Sequence, residues 1–293
     1  MPVYNRADVV RRSVESVLRQ SFRDLELLVI DDGSRDGTTE AVRAIADPRL
    51  KLIALERNFG GNAARNRGIR DSRAELLTFL DSDDEFLPDR LAETVQYFAG
   101  HPTVDLLVDA CIKRWPEARG KCDFVRRNPD LLGNEAVLAA LFDRRLFKAT
   151  PGITVRRDAA IRAGLFDEKL GRRQDYDFIL RVAKVGNLAS RGTVSWVKMN
   201  SADAISSDVD RALGAIFDLW DRHPDHFARL NARTGMADDL ARHLVKLAKR
   251  GKRNLLFRDA RSVIGRFGAV SVSAMLLGGL RTFLSRKVRR HLS

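Results

Sequence analysis

The segment LDSDD at residues 80–84 places three carboxylates within four residues, directly after an apolar run. A turn at this point would aim the side chains of Asp81, Asp83 and Asp84 into one cleft. Like charges this close repel one another, so the segment favours a bound cation. Carboxylate oxygens suit Mg²⁺ or Mn²⁺, and Mg²⁺ usually takes one or two protein carboxylates together with substrate phosphates. An acidic surface loop would have the same sequence, so this motif alone leaves both interpretations open.

A second acidic pair lies in the segment VIDDGSRDGT at residues 29–38, again where an apolar run ends. The carboxylates of Asp31 and Asp32 can accept hydrogen bonds from a base or a ribose. Alternatively, Ser34 and Asp36 cap the helix that follows, which is a common role of these residue types. The two roles are compatible with each other.

The segment NFGGNAARNRGI at residues 58–69 is glycine-rich and opens a predicted helix. A helix N-terminus attracts anions, and Arg65 and Arg67 would add charge-assisted contacts to a phosphate. The segment has neither the dinucleotide-binding glycine fingerprint nor the P-loop pattern. A capped surface helix with solvated arginines explains it equally well.

The segment RRQDYDFILR at residues 172–181 begins a predicted helix with Asp175 and Asp177 in its first turn. Aspartate near a helix N-terminus stabilises the helix by itself. Asp175 therefore becomes a functional candidate only if the fold brings it opposite the acidic cluster at residues 80–84.

The elements that would position these side chains alternate between strands and helices in the first part of the chain. Such alternation favours an α/β fold with a mostly parallel sheet flanked by helices. In open sheets of this type, ligands bind outside the carboxyl ends of the strands, which is where both acidic segments lie. The predicted strands are 25–30, 51–55, 76–80 and 104–110, and the predicted helices are 8–19, 38–46, 61–72 and 88–99.

The rest of the chain is predicted to be richer in helix. Before residue 210, helices are predicted at 134–143, 158–163 and 174–185, and strands at 153–155 and 193–197. From residue 210 the pattern is helical throughout. This C-terminal helical extension is predicted to hold helices at 208–222, 236–250, 254–266 and 270–290.

The net charge of +13 is concentrated at the C-terminal end of the chain. Residues 210–293 hold 18 Lys and Arg against 7 Asp and Glu, a surplus of 11, so a nearly neutral body carries a basic tail. Such asymmetry indicates contact with an anionic surface. Cys111 and Cys122 are too few for a disulfide framework. No apolar stretch precedes the first charges, so we expect no secretory signal peptide and a cytoplasmic setting.

The basic tail contains an apolar run at residues 269–280, flanked by arginines. Its 12 residues are fewer than the about 20 needed to span a bilayer. With the basic residues up to 290 it is typical of an interfacial amphipathic helix on an anionic membrane. A helix packed on the body with a solvated basic face is the alternative. Nucleic acid ranks below both, because no nucleic-acid-binding signature is present.

Four motifs occur together and in order: PVYNR (2–6), VIDDGSRDGT (29–38), GGNAARNRGI with FLDSDD (60–84), and LFDEKL with QDYDFILR (165–181). Together they resemble the family 2 glycosyltransferases, which have the Rossmann-like GT-A fold and use nucleotide-activated sugars. The resemblance covers roughly residues 1–210. It implies a GT-A domain at 1–209, with a nucleotide-sugar half at about 1–110 and an acceptor half at about 111–209, followed by the helical region 210–293.

The resemblance also implies a role for individual residues. Pro2, Tyr4 and Asn5 match the loop that borders the nucleobase, and Asp31 or Asp32 matches the acidic residue that binds the base. Asp83 matches the main ligand of a Mn²⁺ or Mg²⁺ ion, and Asp81 matches a residue nearer the ribose that also belongs to the metal motif. Asp175 matches the base that deprotonates the acceptor hydroxyl. Three further residues complete the expected nucleotide-sugar-binding set: Asn62, Arg65 and Ser82.

The sequence departs from the family pattern in three places. Only Met1 precedes Pro2, so the first strand is essentially missing; a truncated strand would expose sheet edges and weaken the nucleotide pocket. Gln174 stands where many relatives have Glu before the catalytic Asp. Many relatives also supply a late histidine to the metal, but no histidine occurs at residues 196–206. The metal is therefore expected to rely on Asp83, phosphates and water.

These features predict an inverting, metal-dependent glycosyltransferase on the inner face of a bacterial membrane. Its expected substrates are a nucleotide-sugar donor and a glycan or lipid-linked acceptor, in the synthesis of a cell-surface polysaccharide or lipopolysaccharide. Three alternatives remain open at the sequence level. They are a catalytically degenerate homologue that binds the membrane, a phosphorylatable signalling module, and a protein that acts through its basic tail.

Overall fold

The computed structural model describes residues 1–115, 122–199, 212–228 and 230–267. The chain divides into two compact units. The first contains residues 1–138 and 145–201, and the second contains residues 139–144 and 202–293. All of the motifs named above lie in the first unit. The predicted helix at 270–290 and the apolar run at 269–280 lie outside the described residues.

A three-stranded parallel sheet forms the first part of the first unit. Its order is β1 (Pro2–Val3), β2 (Leu27–Asp31) and β3 (Leu50–Ala54). Helices α1 (Val10–Leu18), α2 (Thr38–Arg43) and α3 (Gly61–Asp71) alternate with these strands, which confirms the predicted alternation. β2 is a continuous apolar run because it is buried between helices, as parallel strands commonly are.

Strand β1 has two residues, where the sequence led us to expect that the first strand is essentially missing. The α-amino group of Met1 donates a hydrogen bond to the carbonyl oxygen of Leu28 at 2.8 Å. A cavity of 660 Å³ lies beside Met1 and is lined by residues of β2 and of the strand at Leu76–Thr78.

A seven-stranded mixed sheet forms the rest of the first unit. Its main path is β4 (Leu76–Thr78), β9 (Ile153–Arg156), β6 (Leu106–Arg114), β10 (Leu188–Met199) and β5 (Glu85–Phe86). In addition, β7 (Phe124–Arg126) pairs with β6, and β8 (Leu131–Leu132) pairs with β10.

The α/β class is confirmed, but the pairing differs from the single, mostly parallel sheet that we expected. In the mixed sheet only β6 and β10 run parallel, and the other pairs are antiparallel. Of the antiparallel pairs among the described strands, only β6 and β7 follow one another in the chain. The others join strands far apart in sequence, so their direction is set by long-range contacts that local patterns do not report.

The remaining helices complete both units. In the first unit they are α4 (Arg90–Gly100), α6 (Arg157–Arg162) and α7 (Gln174–Val182), and α5 (Asn134–Phe142) continues into the second unit. The second unit also holds α8 (Ala212–Arg222), α9 (Pro224–Phe227), α10 (Leu230–Lys249) and α11 (Arg253–Phe267), which confirms three of the predicted C-terminal helices. None of the helices in the described part of the chain is long and apolar enough to cross a bilayer.

A buried charge network holds α4 against the two long strands of the mixed sheet. The carboxylate of Asp109 on β6 is fully buried and accepts hydrogen bonds from Arg191 Nε at 2.5 Å and from Ser195 Oγ at 3.1 Å. The guanidinium of Arg90 on α4 lies 3.5 Å from the same carboxylate and is also buried. Two guanidinium groups thus share one counter-charge away from water.

Substitution of Asp109 should therefore be costly. We expect Asp109→Asn to lower the free energy of unfolding by about 3–5 kcal/mol, because it leaves Arg90 and Arg191 buried without a counter-charge. Urea unfolding followed by tryptophan fluorescence measures this loss. Asp123→Asn is the control, since Asp123 pairs with Arg114 at the surface and should change stability by less than about 0.5 kcal/mol. Equal effects of the two substitutions would contradict the assignment.

Candidate functional site

The acidic segment at residues 80–84 forms a turn between β4 and β5, closed by a hydrogen bond from the backbone N–H of Asp84 to the carbonyl oxygen of Asp81 at 3.1 Å. We call it the acidic turn. On one side, Arg65 Nη2 of α3 lies 2.7 Å from Asp81 Oδ1. On the other side, Asp84 Oδ1 accepts a hydrogen bond from the backbone N–H of Met199 at 2.8 Å, and Lys198 Nζ lies 3.7 Å from Asp84 Oδ2. The acidic turn is thus held between helix α3 and strand β10.

The carboxylates of the acidic turn differ in their electrostatic environment. Burial raises the pKa of Asp83, and the neighbouring carboxylate of Asp81 adds to the rise. Burial also raises the pKa of Asp84 to about 8, although Lys198 opposes this shift. The pKa of Asp81 is lowered, because Arg65 and Lys198 outweigh the effect of its burial. The site therefore holds an ionised Asp81 beside Asp83 and Asp84. An added positive charge would stabilise the ionised form of these two carboxyl groups.

The donor set fits a divalent cation that is completed by substrate oxygens. Within the described residues, no group of three or more His, Cys, Asp or Glu side chains forms a metal cage. Asp84 Oδ2 is buried and has no hydrogen-bond partner there, and the carboxylate of Asp83 forms no ion pair with a described side chain. Asp83 and Asp81 would hold Mg²⁺ or Mn²⁺, with phosphate oxygens supplying the remaining ligands.

Helix α3 connects the acidic turn to the loop before α7. Arg65 Nη1 donates to Asn62 Oδ1 at 3.1 Å, and Asn62 Nδ2 donates to the carbonyl oxygens of Asp167 and Leu170, each at 2.8 Å. Asn62 and Arg65 are three residues apart, so both side chains lie on one face of the helix. The structure thus brings together Asn62, Arg65 and Asp81, three members of the predicted nucleotide-sugar-binding set, and their role in binding a donor stays a prediction.

Asp31 and Asp32 are buried, and their carboxylates accept hydrogen bonds from backbone N–H groups. Asp31 Oδ1 accepts a hydrogen bond from the N–H of Ser34 at 2.9 Å. Asp32 accepts hydrogen bonds from the N–H groups of Phe59 at 2.7 Å and Gly60 at 2.8 Å. These contacts fix the two loops that follow β2 and β3. A role of either carboxylate in binding a base stays a prediction.

The loop after β1 packs against the loop after β2. Asn5 has a positive φ of 49°. Its N–H donates to Ser34 Oγ, and its Oδ1 accepts from the N–H of Arg35, both at 2.9 Å. Tyr4 is 43% exposed beside it. Pro2, Tyr4 and Asn5 therefore lie at the carboxyl end of the parallel sheet, where a ligand is expected.

The two aspartates of α7 have different environments. Asp177 is buried and paired with Arg181 at 2.7 Å, so it stabilises its own helix. Asp175 is half-buried and accepts a hydrogen bond from the N–H of Tyr176 at 2.8 Å. Arg173 precedes α7 with a positive φ of 59°. The assignment of Asp175 as the base stays a prediction, and the loop that Asn62 holds leads directly to it.

Lys198 and the anchoring role of Asp84 were missed by the sequence analysis. Ser82, which was predicted, lies in the acidic turn, and its carbonyl oxygen accepts a hydrogen bond from Ser13 Oγ at 2.8 Å. Lys198 falls within residues 196–206, the interval in which only a histidine was sought. A search of that interval for any charged side chain would have found it.

Comparison with known proteins identifies the family. Residues 1–160, more than half of the chain, match the family Glycosyl transferase family 2, and the chain belongs to this family. It is 47% identical over 93 residues to the succinoglycan biosynthesis protein ExoO of Rhizobium meliloti, a match that covers 32% of this chain and 27% of ExoO. It is 38% identical over 91 residues to the Escherichia coli enzyme WfgD, named UDP-Glc:alpha-D-GlcNAc-diphosphoundecaprenol beta-1,3-glucosyltransferase, covering 31% of this chain and 36% of WfgD. The chain thus spans about a third of the length of these curated relatives.

Two solved structures share the fold. The crystal structure of S. aureus TarS 1-349 in complex with UDP-GlcNAc has a TM-score of 0.60 at 16% identity, over 98% of this chain and 90% of that chain. The mannosyltransferase PcManGT from Pyrobaculum calidifontis, in complex with GDP-Man and Mn²⁺, has a TM-score of 0.59 at 20% identity, over 97% and 85% of the two chains. The expected GT-A fold is confirmed.

Gly33, in the loop after β2, lies directly against the backbone of the loop after β3, so its substitution tests this part of the site. Its φ is +76°, and a Cβ there would lie 2.6–2.9 Å from backbone atoms of Arg57 and Asn58. We expect Gly33→Ala to lower the free energy of unfolding by about 1–3 kcal/mol, through backbone strain and the clash. Gly100→Ala is the control, because nothing lies within 4 Å of its Cβ position, and it should raise stability by about 0.4–1 kcal/mol. Thermal unfolding measures both, and an unchanged melting temperature for Gly33→Ala would refute the assignment.

Proposed function

We propose that the chain is an inverting glycosyltransferase. It transfers a sugar from a nucleoside diphosphate sugar to a hydroxyl of a glycan or lipid-linked acceptor, in the synthesis of a cell-surface polysaccharide or lipopolysaccharide. The observation that carries the proposal is the acidic turn, in which Arg65 pairs with Asp81, Lys198 lies beside Asp84, and the Asp83 carboxylate forms no ion pair with a described side chain. The names of ExoO and WfgD support the pathway class, and the UDP-GlcNAc and GDP-Man complexes of the structural neighbours support the donor class.

The donor would lie at the carboxyl end of the parallel sheet. Tyr4, Asn5 and the loops fixed by Asp31 and Asp32 border the base, and Asp81 lies nearer the ribose. Arg65 orients the Asp81 carboxylate and keeps it ionised. A bound Mn²⁺ or Mg²⁺ supplies a positive charge that offsets the charge developing on the leaving diphosphate.

Asp175 would act as the general base. Its carboxylate takes the proton of the acceptor hydroxyl while the hydroxyl oxygen bonds to the anomeric carbon. The bond between that carbon and the diphosphate breaks, and its electron pair leaves with the nucleoside diphosphate. General-base assistance of this type contributes about 10²–10⁴-fold. One displacement inverts the anomeric configuration without a covalent sugar–enzyme intermediate.

A peripheral location on the inner face of the cell membrane is also part of the proposal. Helix α11 of the second unit carries exposed Phe257 and Ile264. Arg253 and Arg261 share that face, because positions four and seven apart lie on one side of a helix. Apolar side chains beside arginines are typical of helices at anionic membranes.

Phe257→Ser should lower the fraction of protein that co-sediments with phosphatidylglycerol vesicles, because it removes an exposed apolar side chain from this face of α11. An undiminished bound fraction would exclude this surface.

Donor binding and hydrolysis test the catalytic proposal. UDP-, GDP- and dTDP-sugars are titrated into the protein with and without Mn²⁺, and the slow hydrolysis of the bound donor is followed. Asp83→Asn should abolish the metal-dependent part of binding. Asp175→Asn should keep donor binding and lose about 10²–10⁴-fold of the hydrolysis rate.

Asp89→Asn is the matched control, because Asp89 is exposed shortly after the acidic turn and should change neither property. If the folded protein binds none of the donors, the result favours the degenerate, membrane-bound homologue over the enzyme. If Asp175→Asn hydrolyses the donor at the wild-type rate, another group is the base. NMR of the released sugar gives its anomeric configuration and tests inversion.

A further inference from the structure

A set of cations continues from the acidic turn across the mixed sheet. Lys198 on β10 and Lys113 on β6 are register partners, and Cys111 on β6 is the register partner of Arg126 on β7. Paired residues, and residues two apart in a strand, share a face of the sheet. Lys198, Lys113 and Arg126 therefore lie on one face of three neighbouring strands, and we call them the basic row. At the usual strand spacing the row is about 10 Å long.

One aromatic ring organises the far end of the basic row. Lys113 Nζ lies 4.7 Å from the centroid of the Phe147 ring, and Arg126 Cζ lies 5.5 Å from it. The Phe147 ring in turn stacks on Trp196, with 6.3 Å between centroids. Trp196 is fully buried, so the Phe147 ring that contacts the cations is itself packed on a side chain of the core. Both cations are thus held against the same ring.

The positive charge of Lys113 is destabilised by its neighbours in the basic row. Like charges that face each other on neighbouring strands repel, and Lys113 faces Lys198. Burial lowers the pKa of Lys113, and the positive charges of Arg126 and Lys198 lower it further. At the near end, Lys198 lies beside the Asp84 carboxylate. An anion placed on the row would offset the repulsion at Lys113.

From this geometry we infer that the basic row binds a phosphate or diphosphate group of the acceptor, so that the acceptor is a phosphate-bearing substrate rather than a neutral glycan. This inference rests on the proposed function. The donor diphosphate is expected at Asp81 and Asp83, and the row leads away from them across β6 and β7. Lys198 adjoins both places, whereas Lys113 on β6 and Arg126 on β7 lie farther along the row. Phe124, which pairs with Lys113, is 44% exposed, so the row reaches the surface.

Binding of inorganic pyrophosphate tests the inference without turnover. Calorimetry measures its affinity for the full chain in excess Mg²⁺, first alone and then with a saturating nucleoside diphosphate in the donor site. We expect binding in both conditions. Lys113→Met should weaken it about tenfold, as expected for the loss of one charge-assisted hydrogen bond, and Lys113→Arg should restore it. Lys51→Met is the control, because Lys51 pairs with Glu26 on the separate parallel sheet.

The outcomes separate this inference from the proposed function. Loss of pyrophosphate binding when the nucleoside diphosphate is present would overturn it, because the row would then belong to the donor. Equal affinities of Lys113→Met and Lys51→Met would also overturn it. If no nucleoside diphosphate binds but pyrophosphate binding still depends on Lys113, the anion site stands and the donor proposal fails. Thermal unfolding of each variant shows whether a loss of binding reflects a loss of fold.

Discussion

The ion pair between Arg65 and Asp81 is the interaction on which the arrangement of the site depends. The Arg65 side chain is only 8% exposed, and its guanidinium lies 2.7 Å from the Asp81 carboxylate. The same guanidinium donates to Asn62, which holds the loop before α7. One turn of α3 therefore fixes both the acidic turn and the approach to Asp175. The planar, multi-donor guanidinium suits this double contact, whereas a lysine ammonium does not have the same fixed geometry.

Charge balance around the acidic turn follows from that pair. Arg65 offsets Asp81, and Lys198 lies against Asp84. Asp83 forms no ion pair within the part of the chain that the structure describes, so a metal held there would draw its remaining ligands from the substrate. Such a site gains affinity for the cation and for the diphosphate together, which couples metal binding to donor binding.

Much of the fold could be predicted from local sequence, because hydrophobic periodicity reports which face of a segment is buried. The helix at Val10–Leu18 and the strand at Leu27–Asp31 are examples. The two-residue strand β5 and the short β8 could not be predicted, because two residues have no periodicity. Their antiparallel pairing with β10 depends on contacts far apart in the chain.

The candidate site shows the same division between local and long-range information. The acidic residues were found because they cluster at strand ends. The contacts that define their roles were not, since Asp84 meets Lys198 across more than a hundred residues. Asp31 and Asp32 were predicted to bind a base, whereas the hydrogen bonds that their carboxylates accept from the N–H groups of Ser34, Phe59 and Gly60 are visible only in the structure. A sequence motif specifies a carboxylate, whereas only the fold specifies its partner.

A double-mutant cycle on Arg65 and Asp81 tests the central claim most directly. The affinity for the nucleoside diphosphate is measured for the wild type, Arg65→Met, Asp81→Asn and the double variant. If the pair organises the site, the double variant loses little more affinity than the worse single variant, with an interaction energy of about 0.5–3 kcal/mol. If the two losses simply add, Arg65 and Asp81 act independently, and the ion pair does not organise the site.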